Sequence, residues 1–383
     1  MTNPIYLDYQ ATTPVDPLVL ESMLPYFSLK FGNNGSRSHY YGREADAAVN
    51  YSRKKLAIFF NLENDKIIFT SGASESINLA IRGFVEANLN KGNHIITSEI
   101  EHSAVIATCK NLEKYGVKVS YLRTDISGLI DLDELRDSIT KNTILVSIQS
   151  SNNEIGTIQH VEDISNICRS NNIIFHSDVT QSVGKHAVDY SLFDLFSLSA
   201  HKFYGPKGIG ILGISHNLKH SDIAPQILGG NQEFGLRSGT LNVPLIVGLG
   251  KAIELIENNK SEISEMVEKR DLLYNGILTK IDNIYLNGDK KRRLSSNLNF
   301  YIDGVSSTNL IKHCAGLCFS TGATCSSALG QRSRVLKAIG LTNEQIDSSI
   351  RLSVGRFTTF EEIEQAINIF TNTINKLREK GQK

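Results

Sequence analysis

The chain has 383 residues, with 40 basic and 40 acidic side chains and a formal net charge of zero. Forty percent of its residues are apolar and 21% are charged, the make-up of a globular protein long enough for two domains. The balanced charge gives no electrostatic reason to expect direct nucleic-acid or membrane binding, no apolar run approaches the ~18 residues of a membrane span, and Met1 to Asp8 lack the order of a signal peptide.

Taken in order, residues 1–15 read as extended and turn-rich. Pro17 to Tyr26 reads as a helix, and Phe31 to His39 as a polar, glycine-rich loop of the kind found at surfaces and sites. From Gly42 to Phe60, apolar residues recur at helical spacing (Ala45, Ala48, Val49, Leu56, Phe59, Phe60). Strands and helices then alternate. Strands are expected at 67–69, 94–97, 117–122, 144–148, 173–175, 195–198 and 208–213. Helices are expected at 75–85, 104–115, 132–139 and 161–169. This rhythm predicts an α/β fold with a mostly parallel sheet covered on both faces. Ligands in such folds bind beyond the carboxyl ends of the strands. After Gly239 the rhythm changes. Helices are expected at 243–258, 263–278, 308–314 and 361–378, and strands at 297–302 and 349–354. This reads as a second, smaller α+β unit, with the boundary in the polar stretch Asn258 to Glu262.

The chemistry is sought at the strand ends. Lys202, in Ser199-Ala200-His201-Lys202, follows the strand 195–198 and precedes a Gly-Pro break. Its amine can condense with a carbonyl compound if burial or a cation lowers its pKa; the plain alternative is a surface lysine before a turn. Asp178 closes the apolar run 173–175 in the same way. A lysine and a carboxylate closing successive strands suit pyridoxal phosphate, the lysine holding the aldehyde and the carboxylate pairing with the ring nitrogen. Thr70-Ser71-Gly72-Ala73-Ser74 joins a strand to a helix and offers backbone N–H groups to an anion, although Ser74 before Glu75 also suits an ordinary helix cap. Ser199, His201 and Thr240 can add donors to the same phosphate. His102, after the strand 94–97, can stack on a flat ring and move protons, or be a loop residue without a role. Asn153 and Gln181 can bond the ring oxygen or the substrate, or serve turn chemistry. Arg351, in an apolar strand, needs an anion: a substrate carboxylate, or a structural partner.

Five cysteines (Cys109, Cys168, Cys314, Cys318, Cys325) is an odd number, so a disulfide framework is not expected and a reducing cytoplasm is. Cys325 lies among small polar residues and suits an exposed nucleophile. Cys314 and Cys318, read as i and i+4 on one helix, suit a core. A metal site from these thiols and His313 lacks a second paired ligand motif, so no metal is expected.

Together these segments resemble the pyridoxal-phosphate cysteine desulfurases of the NifS/IscS type. The likeness runs from Tyr6-Leu7-Asp8-Tyr9-Gln10-Ala11-Thr12-Thr13-Pro14 to Arg351-Leu352-Ser353-Val354-Gly355-Arg356-Phe357-Thr358-Thr359. Between them fall Glu101-His102, Asn152-Asn153-Glu154-Ile155-Gly156, Thr180-Gln181-Ser182-Val183-Gly184, His201-Lys202 and Arg237-Ser238-Gly239-Thr240. The resemblance implies an aminotransferase-like fold (fold type I) and a homodimer. The expected division is a large cofactor-binding domain, 15–258, and a small domain, 1–14 with 259–383, carrying the Cys325 loop. It implies that Lys202 holds the cofactor, Asp178 meets the pyridine nitrogen and His102 stacks on the ring. Ala73, Ser74, Ser199 and His201 hold the phosphate, with Thr240 from the other subunit. Asn153 and Gln181 contact the ring and its oxygen, Arg351 takes the substrate carboxylate, and Cys325 takes the sulfur of L-cysteine as a persulfide while L-alanine leaves.

There are departures from the family pattern. Ser74 stands where Thr is usual, Asn231-Gln232 replaces Gly-His, and Leu329-Gly330-Gln331-Arg332 replaces an acidic-proline pattern. The chain stops soon after its last predicted helix, without the extension that housekeeping members use to dock the iron–sulfur scaffold. The sulfur-acceptor protein is therefore left open between iron–sulfur cluster assembly, transfer-RNA thiolation and a dedicated role in DNA phosphorothioation. The competing readings are an aminotransferase or selenocysteine lyase of the same fold, which a thiol at Cys325 argues against, and a non-catalytic scaffold, which intact Lys202, Asp178, His102 and Arg351 argue against.

Overall fold

The short apolar runs of the first half of the chain form one sheet. The computed structural model describes residues 4–259, 261–321 and 331–381. A two-residue strand β1 (Ile5–Tyr6) is followed by β2 (Ile67–Thr70), β3 (His94–Ser98), β4 (Lys118–Leu122), β5 (Thr143–Ser147), β6 (Ile174–Asp178), β7 (Leu195–Ser199) and β8 (Gly210–Ile214). Strands β2 to β8 make a seven-stranded sheet in the order β2-β8-β7-β6-β5-β3-β4. Strand β8 runs against both neighbours, and β4, β3, β5, β6 and β7 run parallel.

Neighbouring residues of each strand serve opposite faces. Phe69, Val146 and Phe196 join a core with Leu56 and Phe60 of the Tyr40–Phe60 helix and Ile246 and Leu249 of the Val243–Asn258 helix. Their neighbours Ile68, Leu145 and Leu195 join Ile77, Phe84 and Leu112 on the other face. Helices thus cover both faces, which is why these strands read as continuous apolar runs.

The last third builds a smaller, antiparallel sheet. Strands β9 (Ile284–Leu286), β10 (Asn297–Ile302), β11 (Leu317–Cys318), β12 (Ser320–Thr321) and β13 (Ser349–Ser353) follow. The order is β12-β13-β10-β9, backed by the Glu262–Leu278 and Phe360–Gly381 helices. Strand β1 pairs in parallel with β11, and Ile5 and Leu7 bury in this second core.

Several elements differ from expectation. The helix expected over 17–26 is two, Pro17–Met23 and Pro25–Ser28, because Pro25 has no N–H to continue the first. The helix expected over 75–85 starts at Ala73, passes through a wider turn at Leu79–Gly83 and reaches Asn88. The Ser307–His313 helix ends before Cys314, and Gly316 turns the chain at φ 96°. Cys314 is therefore a buried cap residue and Cys318 a strand residue, not two positions on one helix. Strands β9, β11 and β12 and the helices Arg334–Ala338 and Asn343–Asp347 carry too short a pattern to be predicted.

One buried ion pair fastens the Tyr40–Phe60 helix to β2. Arg53 Nη2 donates to Glu233 Oε1 at 2.5 Å, and the Phe69 N–H donates to Glu233 Oε2 at 2.7 Å. Arg53 also donates to the Ile67 carbonyl. Removing one partner of a buried pair leaves an uncompensated charge. Glu233→Ala is therefore expected to cost about 3–5 kcal/mol in urea unfolding; a loss under about 1 kcal/mol would contradict this role.

Candidate active site

The carboxyl ends of β2, β3, β5, β6 and β7 lie on one edge of the large sheet, and β8 begins there, Gly210 facing both Thr70 and Ser199. Every predicted cofactor residue before Thr240 is at a strand end, in a loop or in the first turn of a helix at that edge. Asp178 is the last residue of β6 and pairs with Ser197 of β7. Ser199 ends β7, and His201 and Lys202 sit in the helical turn after it.

Lys202 Nζ donates to the backbone carbonyls of Gln10 at 2.9 Å and Ala11 at 2.7 Å. Asp178 is 8% exposed, with one carboxylate oxygen accepting from the Thr180 N–H at 3.0 Å. His102 caps the Ser103–Glu113 helix, its Nδ1 accepting from the Ala104 N–H at 3.2 Å. A backbone N–H can only donate, so the neutral ring carries its proton on Nε2. Burial holds its pKa below the usual histidine range, with Lys202 and Arg334 pulling the same way and Asp178 opposing them. His201 is held down to about 4 by burial and by Lys202 and Lys207. Its Nδ1 lies 3.0 Å from Thr12 Oγ1, and its carbonyl accepts from Thr13 Oγ1.

The loop after β2 makes a cradle. Gly72 has φ 152°, a conformation open to glycine, and a Cβ built there would point at Ser199 Oγ, 3.4 Å away. A Cβ on Gly210 would meet Gly72 Cα at 2.7 Å, so two glycines let the loop and β8 meet. Gly72, not Ser74, is the N-cap, and Ala73 and Ser74 open the helix. Glu75 Oε1 accepts from Arg237 Nε at 2.9 Å, which brings the segment ending in exposed Thr240 beside this helix.

Turn chemistry falls on Asn152, whose Oδ1 accepts from the Glu154 and Ile155 N–H groups at 2.8 and 2.9 Å. The Asn153 carbonyl accepts from Arg351 Nη1 at 3.1 Å. Arg351, 2% exposed on β13, reaches the same edge from the smaller sheet and donates from Nη2 to Asp8 Oδ1 at 2.7 Å. Gln181 Nε2 donates to the Gln10 carbonyl at 3.1 Å. Cys325 lies outside the described residues.

Sequence reasoning missed the groups that hold these in place. Asp8 also accepts from Ser320 Oγ at 2.7 Å. Gln10 joins Lys202, Gln181 and, through its N–H, Ser353 Oγ. Glu101 accepts from Ser98 Oγ and the Gln149 N–H, and burial pushes its pKa up to about 8. Burial likewise raises Glu154 to about 7, with Ser333 Oγ donating to it. Only their places in the quoted motifs offered a signal.

This donor set fits pyridoxal phosphate. A lysine and a carboxylate stand at adjoining strand ends, a histidine caps the next helix over, and a glycine cradle at a helix N-terminus faces a serine hydroxyl.

The class-V aminotransferase family pattern matches residues 5–366. Cysteine desulfurase IscS of Rickettsia rickettsii (strain Iowa) is 46% identical over 381 residues, 99% of this chain and 93% of its own. A solved NifS-like protein is 34% identical with a TM-score of 0.89, covering 97% of this chain and all of its own. SspA, solved in complex with cysteine, is 37% identical with a TM-score of 0.82, covering 93% of this chain and all of its own.

The buried carboxyls give a pH signature. Glu101 ionises near 4.5 when unfolded but keeps its proton to about 8 when folded. The native state holds the extra proton between those values, so this group's contribution to stability falls as pH rises through that window. Denaturation across pH should show Glu101→Gln gaining on the parent from about 4.5 to about 8 and no further above it. A difference that does not vary with pH would contradict this.

Proposed function

Since the chain belongs to the class-V aminotransferase family and is a pyridoxal-phosphate-dependent cysteine desulfurase, we propose which of its residues carry that reaction, how the chain is divided and where it acts. It takes sulfur from L-cysteine and passes it to an acceptor protein. The observation that carries the assignment of residues is the meeting of Lys202, Asp178 and Arg351 at one sheet edge, brought from β7, β6 and β13.

Lys202 holds the cofactor aldehyde. Asp178 pairs with the ring nitrogen, and His102 stacks on the ring. Ala73, Ser74, Ser199 and His201 hold the phosphate, and Asn153 and Gln181 contact the ring and its oxygen. When bound, pyridoxal phosphate supplies an electron sink for the substrate's α-carbon. Arg351 receives the substrate carboxylate, and Asn153 lines the same place. The Lys202 amine would also serve the bound substrate as a base and then as an acid. Neutral His102 offers its Nε2 proton to the leaving side of the substrate.

Cys325 attacks the substrate sulfur as a thiolate. The carbon–sulfur bond breaks, a sulfur–sulfur bond forms on Cys325, and the carbon takes a proton, so cysteine and thiol become alanine and persulfide. Support comes from chain reach. Ser320 and Thr321 pair with Arg351 and Ile350 on β13, and the four steps of chain from Thr321 to Cys325 can span at most about 14 Å.

A homodimer is supported by a run of exposed apolar side chains. Leu18, Leu24, Phe27, Leu29, Phe31 and Tyr40 are 51 to 74% exposed, and apolar side chains grouped in this way suit a partner surface. Exposed Thr240 then serves the phosphate of the second subunit. The separate apolar cores support a large domain, 15–258, and a small one, 1–14 with 259–383. The cytoplasm is proposed from the free thiols of Cys109, Cys168, Cys314 and Cys318. Among the described residues, no helix is long and apolar enough to cross a membrane. The acceptor belongs to iron–sulfur cluster assembly, transfer-RNA thiolation or DNA phosphorothioation.

Cys325→Ala should keep the visible absorption of the bound cofactor and release no alanine from cysteine. Alanine release at the parent rate would remove Cys325 from the mechanism.

A further inference from the structure

A second lysine, unused in the steps above, touches Gln181. Lys185 is 5% exposed and donates from Nζ to Gln181 Oε1 at 2.8 Å. The other end of that carboxamide, Nε2, donates to the Gln10 carbonyl at 3.1 Å, and the same carbonyl accepts from Lys202 Nζ at 2.9 Å. Lys185 and Lys202 also line one small cavity, together with Tyr9, Tyr204 and Glu262.

These bonds fix the amide. A backbone carbonyl only accepts, so Nε2 must face the Gln10 carbonyl, and Oε1 must face away from it. There it is a buried acceptor that would be costly to leave unmatched, and the Lys185 amine matches it. No carboxylate forms an ion pair with Lys185 among the described residues. Burial, and then repulsion from Lys202 and Arg351, brings its pKa down to about 7, while Glu262 in the same cavity is paired with Arg356 at 2.8 Å. A lysine in such surroundings is not there to neutralise an anion. Its hydrogen bond to Gln181 is the contact that gives it a purpose.

We propose that Lys185 is a positioning residue that locks the Gln181 carboxamide so that its second Nε2 hydrogen is presented to the ring oxygen of the bound pyridoxal phosphate. The proposal rests on the reading of Gln181 as a ring contact. A donor at that oxygen favours its anionic form and lowers the pH at which the bound cofactor changes colour.

The test is a pH titration of the visible absorption of the cofactor-loaded enzyme, with alanine release measured on the same samples. Lys185→Met keeps an unbranched side chain without a donor. Its midpoint is expected to rise by about one pH unit, a tenfold change in proton affinity. Gln181→Leu should give the same rise, and the double variant should shift no further, because both changes remove one interaction. Lys185→Gln, which keeps a donor, should hold the parent midpoint. An unchanged midpoint in Lys185→Met overturns the proposal. So does a double-variant shift equal to the sum of the single shifts, because Lys185 would then act through its own charge. If Lys185→Met takes up no cofactor, colour retained in Lys185→Gln supports the lock, and colour lost in both overturns it. An unshifted Gln181→Leu in a preparation whose parent releases alanine removes the Gln181 contact itself and leaves the desulfurase activity standing.

Discussion

A lysine amine at a strand end needs acceptors, and here they come from the far end of the chain. The Gln10 and Ala11 carbonyls hold Lys202 Nζ across about 190 residues of sequence. Two residues earlier, Asp8 holds Arg351 and Ser320. The Gln10 N–H reaches Ser353, and Thr13 bonds the His201 carbonyl. Residues 8–13 thus run between the two sheets and touch Lys202, His201, Arg351 and Ser353. Without that segment, Lys202 and Arg351 would lose half-buried hydrogen bonds, at a cost to both.

Around this seam burial works against the charged forms of several side chains. His176 lies beneath the edge, between Ser147 Oγ at 2.9 Å and Ser197 Oγ at 3.0 Å, and burial holds its pKa near 3. Glu101 and Glu154 are pushed the other way, toward their neutral forms. Arg293, 6% exposed, is spent on the Ile155 and Asn287 carbonyls and on Asn297, which in turn donates to Gln10. This hydrogen-bonded frame is held away from water, where the field of a charged group reaches further than it would in solvent.

The strand ends were legible because burial on both faces writes an apolar run that ends within a few residues of the loop. Asp178 and Lys202 could be found that way, and with them the α/β order of the large sheet. What was hidden is pairing over distance. Nothing local joins Ile5 to Leu317, Asp8 to Arg351 or Glu233 to Arg53. Short elements failed for a related reason. Two-residue strands such as β11 have no period of their own, and the helical reading of Cys314 and Cys318 overlooked Gly316. Lys185 was visible four residues after Gln181, but only the fold shows that the two are bonded.

The central claim is that sulfur leaves cysteine for one thiol of this chain. The direct measurement is to incubate the loaded enzyme with cysteine, alkylate it, and map every modified cysteine by mass spectrometry while assaying alanine. The account predicts one extra sulfur atom on Cys325, formed together with alanine. Alanine with the extra sulfur on another cysteine, or on none, would contradict it.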